Sequence, residues 1–388
     1  MIKLRQVYLD NSSTTRVSDN AAKSAFEAMT LYYGNPSSMH RKGIEAEKII
    51  KEAREKIASF LGRTANEIYF TSGGTESNNW AIRGAALSLK RRGNHIITTN
   101  IEHPSVLEVF KVLERQGYKV TYLNTDEDGF IDINDLKKAL TEDTVLVSIM
   151  YVNNEIGSIQ PISEAAEAIK SYNKNILFHV DAVQAFGKID LVPALAGIDL
   201  LSVSGHKIHA PKGIGVLFVR DNANIEPLIY GGGQEKGLRS GTENVPGIAG
   251  LSCAAWEITQ NMKEWKIKME SLKKRLKDGI LEKIPDVVLN TPEINSAPHI
   301  LNASFIGTRG EILLHALEGK GIFVSTGSAC SSHKGGASHV LKAVGKSLEE
   351  QDSAIRFSLS HFISEDDIDY VIKTLTEEVC EIRKFVRR

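Results

Sequence analysis

Cysteine is scarce in this chain of 388 residues: Cys253, Cys330 and Cys380 stand far apart, with no CxxC pair and no spacing that suggests a disulfide framework. That excludes a disulfide-stapled secreted scaffold and fits a reducing compartment, so a cytoplasmic protein is expected. Long apolar runs are lacking as well. None approaches the roughly 20 residues that span a bilayer, and residues 1–10 have no signal-peptide core. Net charge is almost nil, at −1, so neither nucleic acid nor an anionic membrane is an expected partner. Internal repeats, low-complexity linkers, HExxH and the GxGxxG and GxxxxGK[ST] phosphate motifs are absent too, and no metal is expected. What remains, 42% hydrophobic and 24% charged, is the composition of a globular enzyme or binding protein long enough for about two or three domains.

Strand-like apolar runs at 68–70, 95–99, 120–123, 145–150, 177–181 and 198–203 alternate with helical stretches at about 75–90, 105–116 and 162–172. Ahead of them, Ile44, Ile49, Ala53, Ile57 and Leu61 mark one helix face that Gly62 can terminate. Continuous apolar strands alternating with helices predict an α/β fold around a mostly parallel sheet covered on both faces. Past Pro246 a long Lys/Glu-rich helical stretch runs to about Pro285. Strand-like runs at 303–305 and 355–359 and a charged helix over 365–383 then indicate a smaller α+β domain.

In such a sheet, ligands bind beyond the carboxyl ends of the strands, and five polar clusters fall there. Thr71-Ser72-Gly73-Gly74-Thr75 is a strand-to-helix turn whose free N–H groups suit a phosphate. Glu102-His103-Pro104 places a histidine at a helix start, where it can lie on an aromatic ligand or move a proton. Asn153-Asn154-Glu155 follows an apolar strand. Asp181 ends another, where a carboxylate is costly to bury unless it meets a cation or a protonated ring nitrogen. The last cluster is Ser204-Gly205-His206-Lys207, between two apolar runs. Burial among other cations lowers a lysine's pKa and frees its amine for Schiff-base chemistry. Singly, each cluster is equally a turn, a packed histidine or a strand cap. Together they offer an imine-forming lysine, an aspartate for a ring nitrogen, a phosphate turn and a histidine to cover the ring, which is the set pyridoxal phosphate requires.

The order and context of these clusters resemble the fold-type I pyridoxal phosphate enzymes, specifically the cysteine desulfurases of the class V aminotransferase group. Gly34-Asn35-Pro36, Arg239-Ser240-Gly241-Thr242, Gly327-Ser328-Ala329-Cys330 and Ile355-Arg356-Phe357 extend the likeness nearly end to end. The resemblance implies a large domain over 15–260 with a mostly parallel seven-stranded sheet. A small α+β domain over 261–388 would follow, with segment 1–14 packed against it. It also implies pyridoxal 5′-phosphate as cofactor, L-cysteine as substrate, and a homodimer with sites shared across the interface. A sulfur acceptor, either an iron–sulfur scaffold or a tRNA-thiolating enzyme, would be the further partner.

By the same resemblance Lys207 would hold the cofactor as a Schiff base and move the Cα proton. Asp181 would salt-bridge the pyridinium nitrogen, Gln184 would bond the ring hydroxyl oxygen, and His103 would stack on the ring. Gly74, Thr75, Ser204 and His206 would hold the phosphate, and Thr242 would reach the phosphate of the neighbouring subunit. Asn154, also facing the cofactor, and Arg356 would clamp the substrate carboxylate.

Cys330 names the reaction. Its surroundings are small and polar, and His333 and Lys334 add two potential cations, which favours the reactive thiolate. A cysteine pKa of ~8.5 leaves that form a minority near neutrality, so acid–base neighbours matter; His103 is the candidate for the substrate thiol and His333 for Cys330. Cys253 reads as structural, and Cys380 as partly set among apolar neighbours. The expected reaction converts L-cysteine to L-alanine and leaves its sulfur as a persulfide on Cys330. A selenocysteine lyase or a class V aminotransferase would share the cofactor site, and the aminotransferase would need no thiol nucleophile. A non-catalytic scaffold would share only the fold. The stretch His333-Lys334-Gly335-Gly336-Ala337-Ser338 departs from the Leu-Glu-Pro type of sequence found in relatives that serve scaffold proteins.

Overall fold

The computed structural model describes residues 5–326 and 338–386, with backbone alone at 192–194 and 386. It opens with β1 (Val7–Tyr8), α1 (Asp19–Thr30) and α2 (Arg41–Phe60). Strand–helix steps follow: β2 (Ile68–Thr71) with α3 (Gly74–Ser88), β3 (His95–Thr99) with α4 (Pro104–Arg115), and β4 (Lys119–Leu123) with α5 (Ile133–Ala139). Next come β5 (Thr144–Met150) with α6 (Ile162–Tyr172), then β6 (Leu177–Asp181), β7 (Leu200–Ser204) and β8 (Gly215–Val219). The 39-residue α7 (Val245–Lys283) leads to β9 (Val287–Leu289), β10 (Ile300–Phe305), α8 (Gly310–Gly319) and β11 (Ile322–Phe323). The chain closes with α9 (His339–Ala343), α10 (Leu348–Asp352), β12 (Ala354–Ser358) and α11 (Glu365–Val386).

Seven strands form the main sheet in the order β2-β8-β7-β6-β5-β3-β4. Only β8 runs antiparallel to its neighbours; the remaining pairs are parallel. Every residue of β5, β6 and β7 is buried, which is why these strands read as largely apolar runs rather than alternating ones. Ile96 and Leu146 pack on one face against Trp80 of α3 and Phe110 of α4. Ile97 and Phe178 pack on the other against α2, α6 and α7 through Ile57, Ile169 and Leu251. A three-layer sandwich results, with the six parallel strands β2, β3, β4, β5, β6 and β7 ending on one side.

A second core lies around the antiparallel sheet β12-β10-β9 and the parallel pair β1-β11. Phe305, Phe357, Leu276 and Leu375 fill it, together with Val7 and Leu9 from the N-terminal segment. α7 belongs to both cores: its residues 245–258 are buried in the first and 269–280 in the second. The N-terminal segment likewise crosses between them. Asp10 bridges Ser358 in the small sheet, and a few residues later Thr15 N–H donates to His206 O at 2.9 Å and Ser18 N–H to His209 O at 2.9 Å.

Candidate active site

The shared strand ends open on a cavity of about 600 Å³. Gly74, Thr75, His103, Asn154, Asp181, Gln184, Ser204, His206, Lys207 and Arg356 all line it, so ten residues named from the sequence converge. Thr242 lies outside, exposed on the approach to α7. Cys330 and His333 fall outside the described residues. Cys380 is exposed on α11, not sheltered among apolar neighbours, because its helix turns it outward; Cys253 is half-buried.

Lys207 ends a short 3₁₀ turn, Gly205–Lys207, that follows β7. Its Nζ donates to Ser12 O at 2.5 Å and Ser13 O at 2.7 Å. The N-terminal segment therefore supplies the amine's partners through backbone carbonyls, which no side-chain pattern could announce. Behind it, the buried Lys188 Nζ donates to Lys207 O at 3.0 Å. Burial, and then the Lys207 charge, pushes Lys188 down to about 7.

Asp181 is buried, and both carboxylate oxygens are held. Asn78 Nδ2 donates to Oδ2 at 2.8 Å and Val183 N–H to Oδ1 at 3.0 Å. Asn78 Nδ2 also lies 2.8 Å from Ser105 Oγ, which sits 2.8 Å from His103 Nδ1. His103 is the N-cap of α4, and its Nδ1 accepts from Ser105 N–H at 3.1 Å. Burial keeps His103 below the ordinary imidazole range; the nearby Asp181 opposes this, while Lys207 and His339 reinforce it. A neutral ring whose Nδ1 accepts must carry its proton on Nε2. Asn78 was not singled out from the sequence, yet it stands one helical turn after Gly74 on the same face of α3, and that spacing was the available signal.

The site fits pyridoxal phosphate. Gly73 caps α3 without a side chain, so the first-turn N–H groups are left for an anion. A Cβ on Gly74 would come within 2.7 Å of Val183 Cγ2, so only glycine leaves this cradle open. Ser204 is buried beside it, and His206 Nδ1 lies 3.2 Å from Thr14 Oγ1. Burial, then the charges of Lys207, Lys212 and Lys188, lowers His206 to about 4. A phosphate would therefore meet a neutral imidazole there, and Lys212, which also lines the cavity, brings a cation the sequence reading passed over. Asn78 Oδ1 is buried with no hydrogen-bond partner among the described residues, a polar group with capacity left for a ligand.

Arg356 is buried, and each terminal nitrogen is engaged. Nη1 donates to Asn154 O at 2.8 Å; Nη2 donates to Asp10 Oδ1 at 3.0 Å and Ser13 Oγ at 2.8 Å. Its Nε is buried without a partner among the described residues, leaving donor capacity for a substrate carboxylate. Gln184 donates from Nε2 to Ser12 O at 2.9 Å, and His299 Nε2 lies 3.3 Å from its Oε1. Beneath His103, the fully buried Glu102 accepts from Met150 N–H and Thr99 Oγ through Oε1. Burial pushes this carboxyl up to about 8, against the Met150 hydrogen bond and with the help of the Asp181 charge. Glu155, next to Asn154, is pushed up to about 7 by burial, which a hydrogen bond from Ser338 and the Arg356 charge oppose.

With this geometry in view, comparisons with known proteins agree on one family. The sequence profile of the class-V aminotransferases matches residues 7–371. A protein named cysteine desulfurase IscS from Clostridium botulinum is 46% identical over 382 residues, covering 98% of this chain and 96% of that protein. A cysteine desulfurase from a Nostoc species is 47% identical over 378 residues, covering 97% and 94%. A solved structure described as a NifS-like protein superposes with a TM-score of 0.92 at 42% identity, over 97% of this chain and 100% of the other.

Proposed function

We propose a route for sulfur from the premise that this chain belongs to the class-V aminotransferase family and is a pyridoxal-phosphate-dependent cysteine desulfurase. L-cysteine is the substrate and a sulfur acceptor receives the product. On this reading the Cys330 thiol attacks the substrate's sulfur. The Cβ–S bond breaks, an S–S bond forms on Cys330, and a proton is returned to Cβ. L-cysteine and the Cys330 thiol thus give L-alanine and a Cys330 persulfide, with no outside oxidant or reductant.

The observation that carries this reading is the convergence of Lys207, Asp181 and His103 on one cavity that ends at the bare N-terminus of α3. When bound, the cofactor supplies an electron sink that acidifies the amino acid's Cα–H and makes its sulfur transferable. Lys207 holds the cofactor and moves the Cα proton from Nζ. Asp181, aimed by Asn78 and Val183, keeps a ring nitrogen protonated. Gly74, Thr75, Ser204 and His206 hold the phosphate, and Gln184 the ring hydroxyl oxygen. His103 covers the ring and, in the tautomer described above, gives a proton from Nε2. Arg356 and Asn154 receive the substrate carboxylate.

The active unit is read as a homodimer in which Thr242 of each chain completes the neighbouring site. Its position outside its own cavity supports this, as do the exposed apolar side chains Phe26 and Met29 on α1, Trp256 on α7 and Tyr230 in the loop ahead of α7. The acceptor is taken to be an iron–sulfur scaffold or a tRNA-thiolating enzyme of the cytoplasm. Mass spectrometry after L-cysteine treatment tests the route. One added sulfur on the Cys330 peptide, together with loss of alanine formation in Cys330→Ala, supports it. Rapid turnover with Cys330 unmodified overturns it.

A further inference from the structure

We propose that Glu155 is a positioning residue for sulfur transfer, acting through its hydrogen bond to Ser338. The proposal rests on the reading of Cys330 given above. Along the chain, residues 327–337 lie between Ser325-Thr326 and Ser338; one flank is tied to Arg356 and the other to Glu155, the residue after Asn154. At the first end Ser325 pairs with Arg356 through both backbone groups, N–H to O at 3.2 Å and O from N–H at 2.7 Å. At the second end Ser338 Oγ donates to Glu155 Oε2 at 2.5 Å. The same hydroxyl accepts from Leu341 N–H at 3.1 Å, so Ser338 is at once the N-cap of α9 and the tie to Glu155. One residue on, His339 Nε2 lies 2.9 Å from Glu102 O.

Glu155 is itself immobilised. It is buried; its N–H donates to Asn153 Oδ1 at 2.9 Å and its carbonyl accepts from Asn302 Nδ2 at 3.1 Å. Arg356 Nη1 donates to Asn154 O, so the two ends are also joined to each other through the residues that face the substrate. A buried carboxyl has no structural need to point at a helix cap, since the serine caps α9 without it. Its effect is to set where α9 begins relative to Asn154 and Arg356. In sequence Cys330 stands five residues after Ser325 and eight before Ser338, and the Glu155–Ser338 tie fixes where the described chain resumes. Misplacement of a reacting group by about 1 Å can cost 10²-fold in rate.

The test separates holding the cavity from aiming the thiol. Holoenzymes carrying Glu155→Ala, Ser338→Ala, Glu155→Gln and Ser338→Thr are compared in two measurements. One is the visible spectrum of the bound cofactor and its change on adding L-cysteine. The other is the single-turnover rate at which the Cys330 peptide gains sulfur. Glu155→Ala and Ser338→Ala are expected to keep the spectral response while slowing sulfur gain at least about tenfold. Glu155→Gln and Ser338→Thr, which retain a hydrogen bond, are expected to restore it. Sulfur gain at the normal rate in either alanine variant overturns the proposal, and so does loss of the spectral response together with the rate. No sulfur on Cys330 in the unsubstituted enzyme would overturn the reading of Cys330 and this inference together, whereas fast transfer in Glu155→Ala overturns this inference alone.

Discussion

At the scale of single residues, the site depends on partners that hold its chemical groups in place. Asn78 aims Asp181 and orders Ser105 against His103. Asn78→Ala is therefore expected to lower kcat by about 10²-fold through misplacement alone, with the protein still folded; steady-state kinetics and circular dichroism check this. Glu102 gives a pH prediction. Its carboxyl is raised from 4.5 to about 8 in the folded protein. Between those values the folded state holds a proton that the unfolded chain has released, so this group's contribution to stability falls as pH rises. Glu102→Gln, neutral at every pH, should remove that fall, and the wild-type Tm should drop relative to the variant from about pH 5 to pH 8. Scanning calorimetry across that range decides it. Asp181 and Lys207 were legible because each is a charged residue that follows apolar strand residues, and His103 because it stands before Pro104 at a helix start. The carbonyls of Ser12 and Ser13, His299 and Lys212 were not. Backbone acceptors leave no trace in side-chain pattern, and partners distant along the chain meet only through the fold.

At the scale of elements, legibility followed burial. β5, β6 and β7 are buried on both faces, so largely apolar runs marked them to within a residue or two. α1 went unread because its buried face is alanine, at 21, 25 and 28, too small to register as an apolar stripe. β9 is only half-buried and three residues long, and α5 buries a single residue, Leu136. The β2–α3 turn was read as a phosphate site from its glycines, and the fold gives the reason: Gly74 stands where a side chain would strike Val183. Gly74→Val should leave the sheet intact but weaken cofactor binding at least about tenfold by displacing the first turn of α3 from its ligand. Spectroscopic titration of the apoprotein measures this.

At the scale of the whole molecule, two cores share one long helix and one N-terminal segment, and the proposed dimer adds a second chain to each site. Thr242 makes that reading testable. If it acts only on the neighbouring site, Lys207→Ala and Thr242→Trp chains should each be inactive alone. Co-expressed in equal amounts, they should recover about one quarter of wild-type activity, since half the dimers are mixed and each mixed dimer holds one intact site. If Thr242 serves its own chain, mixing recovers nothing. The small core was less legible than the large one because its strands are scattered in sequence. β1 pairs with β11, and β10 sits between β12 and β9, so no run of alternating elements announced it.

The N-terminal segment also couples the two cores to each other. Val7 and Tyr8 precede every strand of the large sheet along the chain, yet their partners, Ile322 and Phe323, follow all of them. That pairing, together with the Thr15–His206 and Ser18–His209 bonds, docks the segment whose carbonyls receive Lys207. The grip on the lysine amine is thus complete only when both cores have folded, so damage to the small core should be felt at Lys207.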